Sequence, residues 1–236
     1  MAREKSSPVP VDRPFGRREL KTAQGEILHE GKWGNALVRR LCIGGREWTV
    51  KDIAHTALLH RETIGISLLR RELRAMQILD GAEGVPRDAF RIDRYAMAYA
   101  YVEGDTLKTL KRRKVAPPPA FFEQFSVFVN RMHGQGIVHL DLRNARNVVV
   151  TGDWQPVFLD FQTAMRTRRM PRALCNVLRE CDRSAVRKWW LKLSPDTCPS
   201  ETRQKLVAFN RLRRLWVFRG YSFLHLRKKR RLGLDA

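Results

Sequence analysis

Alternating apolar and polar residues crowd into 26–102, and helical periodicity takes over after residue 103, which together predict an α+β fold. A small antiparallel sheet carrying one helix is expected to precede a mostly helical half. Composition sets the outer limits: 43% apolar residues beside 30% charged ones belong to a folded globular chain. At 236 residues the chain is long enough to bury a core, as one medium domain or two small lobes.

Residues 1–25, rich in Pro, Arg and Ser, read as a flexible basic arm. The sheet begins with a short strand over 26–30 and a longer one over 35–43. The two-residue hairpin signal Gly44-Gly45 follows, then a strand over 46–53 in which Trp48 and Val50 alternate with polar neighbours. Residues 67–79 repeat apolar side chains at helical spacing, with Ser67 as the N-cap and Gly81, Gly84 and Pro86 as the stop. Strands over 89–93 and 95–102 close the first half. A short helix over 106–114 opens the second, and the prolines at 117–119 start a strong helix over 120–133 by fixing its first-turn dihedrals. Helical periodicity returns over 173–193 and 201–218. The division expected is an arm (1–25), a sheet-rich lobe (26–102), a helical lobe (103–220) and a basic tail (221–236).

No run of 18 apolar residues occurs, which argues against a membrane-spanning helix, and the N-terminus lacks the apolar stretch of a secretion signal. Cys42, Cys175, Cys181 and Cys198 show neither paired spacing nor a histidine at zinc-finger distance. They read as free thiols of a reducing cytoplasm, which disfavours a metal cluster. The net charge of +22 is uneven. Residues 166–236 hold 20 Lys/Arg against 5 Asp/Glu, whereas 26–165 hold 20 against 16. A field of that sign in the C-terminal third attracts polyanions, whether RNA, an anionic membrane surface or a phosphorylated glycolipid. There Leu206, Val207, Phe209, Leu212, Leu215, Trp216 and Phe218 alternate with arginines ahead of Arg227-Lys-Lys-Arg-Arg231. The pattern suits a headgroup layer and an RNA surface alike, and a core-facing helix with solvated arginines gives it too. A cytoplasmic chain with a peripheral seat at the inner membrane face is the expectation.

The densest chemistry lies in Gly136-Ile-Val-His-Leu-Asp-Leu-Arg-Asn-Ala-Arg-Asn-Val-Val-Val150, followed by Leu159-Asp-Phe161. A carboxylate two residues past a histidine, an amide before an apolar strand and a second carboxylate after another strand suit phosphoryl transfer. That reaction needs one carboxylate to orient the attacking hydroxyl and an Asn/Asp pair to hold Mg²⁺ against the phosphates of ATP. The order resembles the catalytic loop and Asp-Phe-Gly motif of the protein-kinase-like superfamily.

The resemblance implies a two-lobed minimal protein-kinase-like fold and a role for each residue. Asp141 would be the catalytic base or hydroxyl-orienting carboxylate, and Arg143 would neutralise the transferring phosphoryl group. Asn147 and Asp160 would hold the metal. Asn147 falls one residue later than the usual spacing, where Arg146 stands, but it directly precedes the strand Val148-Val-Val150. Gln162 occupies the usual glycine position, which argues against a flipping activation switch. Lys51, on the strand after the Gly-Gly turn, would grip the ATP phosphates and pair with Glu72 on the following helix, with Glu62 a competitor for that role. Gly31 and Gly34 would let backbone amides approach phosphate oxygens. Main-chain groups at Ala100 and Val102, in Tyr99-Ala-Tyr-Val-Glu-Gly104, would meet adenine. No Walker A sequence occurs.

Nothing after Phe161 resembles Ala-Pro-Glu, and only 75 residues follow it. The chain therefore resembles the short atypical branch: RIO-type kinases, the kinase of the tRNA threonylcarbamoylation complex, and bacterial lipopolysaccharide (Kdo/heptose) kinases. The resemblance covers roughly 26–165. It implies an ATP- and Mg²⁺-dependent phosphotransferase acting on a hydroxyl, of a lipopolysaccharide core sugar or of a protein Ser/Thr. The alternative is a catalytically inactive pseudokinase or RNA-binding adaptor on the same fold.

Overall fold

A computed structural model describes residues 13–31 and 35–214, the last three by backbone alone. The expected arm proves structured from residue 13. Helix α1 (Arg17–Thr22) leads into strand β1 (Gly25–His29), and Phe15, 5% exposed, sits edge-on against the rings of Trp48 and Phe90 at 5.5 and 5.1 Å. Arg17 ion-pairs with both Asp52 and Asp93. Two side chains, Phe15 and Leu20, carry most of the burial of this segment, too few to stand out among its arginines and prolines.

Strands β2 (Leu37–Ile43) and β3 (Arg46–Asp52) form the predicted hairpin. Gly44 and Gly45 both have positive φ, 62° and 72°, the turn whose twist matches the flanking strands. The helical region begins earlier than expected. A single turn α2 (Leu58–His60) and a π turn over Arg61–Gly65 run without a break into α3 (Ile66–Ile78). Ser67 is therefore inside the helix and not its cap. Gly65 before it is already helical, at φ −57° and ψ −50°, and a cap requires an extended residue.

Strands β4 (Phe90–Arg91) and β5 (Ala96–Ala100) complete an antiparallel sheet in the order β1-β2-β3-β5-β4. Strand β6 (Asp105–Thr106) then leads into α4 (Leu107–Arg113), where the Thr106 hydroxyl accepts the Thr109 N–H at 3.2 Å. Helix α5 (Pro119–Gly134) starts on its proline as expected. Four short strands follow: β7 (Ile137–Val138), β8 (Val148–Val150), β9 (Pro156–Phe158) and β10 (Met165–Arg166). β6, β8 and β9 form one small sheet and β7 with β10 another. Helices α6 (Arg172–Leu193) and α7 (Ser200–Arg214) end the described chain. The remainder of the aromatic, arginine-rich tail, from 215, lies outside the described residues.

One apolar cluster joins the two halves. It draws Leu69, Leu73 and Met76 from α3, Phe121 and Phe125 from α5, and Trp189 from α6, so the sheet and its helix cannot shift without opening a shared core. Gly84 lies on that seam with φ +79°. A Cβ there would come within 2.4 Å of the Phe128 ring, and its carbonyl accepts the Phe158 N–H at 2.8 Å. Among the described residues no helix is long and apolar enough to cross a membrane, and the four cysteines are free.

Because Phe15 fills the space between Trp48 and Phe90, Phe15→Ala should lower stability by about 3 kcal/mol. Urea unfolding monitored by tryptophan fluorescence measures this. A loss within experimental error would show that the segment before α1 does not stabilise the sheet.

Candidate active site

Lys51 is the last residue but one of β3, an interior strand of the sheet, and points its ammonium at two carboxylates from distant segments. Its Nζ donates to Glu72 Oε1 of α3 at 2.6 Å and to Asp160 Oδ1, just after β9, at 3.0 Å. Side-chain exposure is 7% for Lys51, 0% for Glu72 and 38% for Asp160, so the cluster is buried on the α3 side and open beyond Asp160. Burial opposes the Lys51 charge, but Asp160 and Glu72 outweigh it and hold the ammonium protonated. Burial also dominates at Glu72, pushing its carboxyl above the usual range despite Lys51. At Asp160 burial acts upward too, but the ammonium prevails and the carboxyl lies low. Glu62 faces elsewhere: it accepts from the Tyr95 hydroxyl at 2.8 Å and pairs with Arg94.

The second group of residues sits on the loop between β7 and β8. Asn147, 4% exposed, donates from Nδ2 to Asp141 Oδ2 at 2.8 Å and to the Asp141 carbonyl at 3.2 Å. Its own carbonyl accepts the Leu159 N–H at 2.8 Å, tying the loop to the residue before Asp160. Asn144, the other amide of the loop, is exposed and reaches Asp141 only at 3.4 Å. Burial raises the Asp141 carboxyl above its ordinary range, and Asp160 nearby adds to the rise. Arg143 engages the C-terminal helices, donating to Ser184 Oγ of α6 at 2.8 Å and to Asn210 Oδ1 of α7 at 3.3 Å.

His139 fastens the two groups together. Its Nε2 lies 2.9 Å from the Leu159 carbonyl, its Nδ1 accepts the Asp141 N–H at 3.3 Å, and its ring packs 4.6 Å from Phe161. That network places the imidazole proton on Nε2. Two non-glycine residues here adopt left-handed backbone, Leu140 (φ 69°) and Asp160 (φ 65°), a conformation costing about 1–3 kcal/mol each. What holds Leu140 is Asp182 of α6, 1% exposed. Its Oδ1 accepts the Leu140 N–H at 2.7 Å, and its Oδ2 accepts the His139 N–H at 2.8 Å and lies 3.0 Å from His133 Nε2. Asp182 is a site residue that the sequence reading missed. The one available signal was an acid on the apolar side of a helix, between Leu178 and Ala185.

The remaining expected residues fall as follows. Gly31 has φ +69°, and a Cβ there would approach His55 Nε2 to 2.6 Å, so the turn after β1 requires glycine. Gly34 lies outside the described residues. Ala100 ends β5 with its N–H on the Arg87 carbonyl at 3.0 Å, while the Val102 N–H makes no hydrogen bond among the described residues. Gln162, on the 3-10 turn Phe161–Thr163, brings its amide beside Glu72 and favours the charged carboxylate.

Among the described residues no three His, Cys, Asp or Glu side chains form a metal-binding group. The Asn147 Oδ1 and the partly exposed Asp160 carboxylate are hard oxygen donors instead. A set that small fits Mg²⁺, which keeps several positions for water and phosphate oxygens. No protein-family model matches the chain, and no curated protein matches it.

Lys51→Met leaves the Glu72 carboxylate buried without a counter-charge, and stability should fall by about 3–5 kcal/mol at neutral pH. Adding Glu72→Gln should restore part of the loss. In the single variant the folded state binds a proton at Glu72 that the unfolded chain releases above its ordinary carboxylate range. The deficit should therefore shrink as pH falls and grow as pH rises. Urea titrations at two pH values test this, and a deficit independent of pH and unrelieved by Glu72→Gln would rule out the buried charge as its cause.

Proposed function

We propose that the protein is an ATP- and Mg²⁺-dependent phosphotransferase on a minimal, two-lobed protein-kinase-like fold, with a hydroxyl as acceptor. The observation carrying this reading is the convergence of Lys51, Glu72 and Asp160 next to a separately held Asp141–Asn147 pair. A buried, charged lysine fixed by two carboxylates suits the phosphates of a nucleotide. In this reading Asn147 Oδ1 and Asp160 hold the metal, and the bound Mg²⁺–ATP supplies the electrophilic phosphoryl group. Asp141 would accept a hydrogen bond from the acceptor hydroxyl and take its proton as that oxygen bonds the γ-phosphorus and the bridging P–O bond breaks to release ADP. The Ala100 carbonyl and Val102 N–H face adenine, and the Gly31 turn covers the phosphates.

Arg143 takes a supporting role, since its guanidinium is engaged by Ser184 and Asn210. It fixes the loop against α6 and α7. The acceptor is a sugar hydroxyl of a lipopolysaccharide core or a protein Ser/Thr hydroxyl. The basic C-terminal third supports an acceptor presented at an anionic surface at the inner face of the membrane.

ATP with Mg²⁺ should raise the melting temperature of the full chain, and the metal-dependent part should vanish in Asp160→Asn. Asp141→Ala should keep that stabilisation yet lower turnover of γ-labelled ATP by about 10²-fold or more. Because Asp141 must be ionised to accept the proton and burial raises its carboxyl, the rate should climb with pH through an ionisation above the ordinary aspartate range. Unchanged turnover in Asp141→Ala would refute the assigned mechanism, and stabilisation by ATP indifferent to metal would favour an inactive adaptor.

A further inference from the structure

The arginines of the described chain fall into two populations. Many are paired, as Arg17 is with Asp52 and Asp93, Arg40 with Glu47, and Arg187 with Glu180. Six others share one region and are not: Arg70, Arg71 and Arg74 on α3, and Arg166, Arg168 and Arg169 on and just after β10. All six are exposed, and none forms a hydrogen bond, ion pair or ring contact among the described residues. Arg70, Arg71, Arg74 and Arg166 line a groove of about 570 Å³ between α3 and β10. Among the described residues, Arg166, Arg168 and Arg169 line a second hollow of about 540 Å³ that shares Arg166 with it. Glu62 is the one carboxylate lining the groove among the described residues, and Arg94 and Tyr95 already hold it.

A guanidinium donates up to five hydrogen bonds, accepts none, and fits phosphate oxygens in pairs. Six such groups, with only the already engaged Glu62 beside them among the described residues, call for a ligand bearing several negative charges in a small space. Among the described residues the groove lining contains no aromatic side chain on which a base could stack, which disfavours single-stranded RNA. Its size suits a compact headgroup. We infer that the groove is a binding site for a compact, multiply phosphorylated ligand, free or as the headgroup of a lipid, which bridges α3 and β10. Such a ligand would screen the repulsion between the two arginine sets. It would thereby draw the helix carrying Glu72 toward the strand that starts five residues past Asp160.

The test uses the full chain, inositol hexakisphosphate as the free probe, and phosphatidylcholine vesicles with and without a bisphosphorylated inositol lipid. The groove variant is Arg70→Gln/Arg74→Gln/Arg166→Gln. An equal-charge control, Arg112→Gln/Arg203→Gln/Arg211→Gln, changes exposed arginines elsewhere. All six positions are exposed, so both variants should melt as the parent chain does. The groove variant should bind the probe about tenfold or more weakly by calorimetry, with the control nearly unaffected. Parallel loss of flotation with the phosphorylated vesicles assigns a lipid-borne ligand, and loss of probe binding alone assigns a free one. Equal weakening in both variants, no weakening in either, or groove dependence seen only with a short single-stranded RNA would each overturn the inference.

Discussion

Three segments far apart in the chain meet at the ammonium of Lys51, and only its charge allows Glu72 and Asp160 to lie where they do. Glu72 is fully buried; without a cation at 2.6 Å it would be neutral or expelled. An ion pair so deep is a poor source of net stability, because desolvating both charges offsets most of their attraction. Its value lies in register. β3, α3 and the turn after β9 must all come within reach of one nitrogen, so the pair selects a single arrangement of sheet, helix and loop. The apolar cluster of Leu73, Met76, Tyr99 and Phe161 closes around that arrangement and supplies the stabilisation the charges do not.

The strained backbone at Leu140 and Asp160 obeys the same logic. Left-handed residues with side chains persist only where the surroundings leave no alternative. Asp182 and His139 provide those surroundings: the first accepts two consecutive amide protons, and the second spans from the Asp141 amide to the Leu159 carbonyl. Thr163 adds a third tie, its hydroxyl donating to the His139 carbonyl at 2.7 Å. Neither Asp141 nor Asp160 owes its position to its own strand alone.

Local chemistry was legible in the sequence, and long-range closure was not. Gly44-Gly45 announces its hairpin because the turn itself needs positive φ, and the proline at 119 announces α5 because its ring presets the first turn. Lys51, Glu72, Asp141, Asn147 and Asp160 could be picked out in order because each stands beside a strand or helix signal. Their meeting required the fold. Ser67 misled because serine is a cap only after an extended residue, and the π turn over Arg61–Gly65 leaves no trace in apolar spacing. Phe15 was hidden in a polar stretch, since its partners Trp48 and Phe90 lie 33 and 75 residues away. Asp182 was hidden for the same reason, 43 residues from the amide it holds.

That carboxylate links the fate of the loop to the fate of α6. A loop held by its own turns can fray while the rest of a protein stays folded, and its amides then exchange with solvent early. Here the His139 and Leu140 amides are capped by a side chain anchored in a 22-residue helix packed on the central core. They can be released only when α6 lifts. The loop then has no private opening route, and its slow exchange should report the cooperative unfolding of the whole helical half. Substitutions along α6, remote from any substrate, would reach the site by loosening this one attachment.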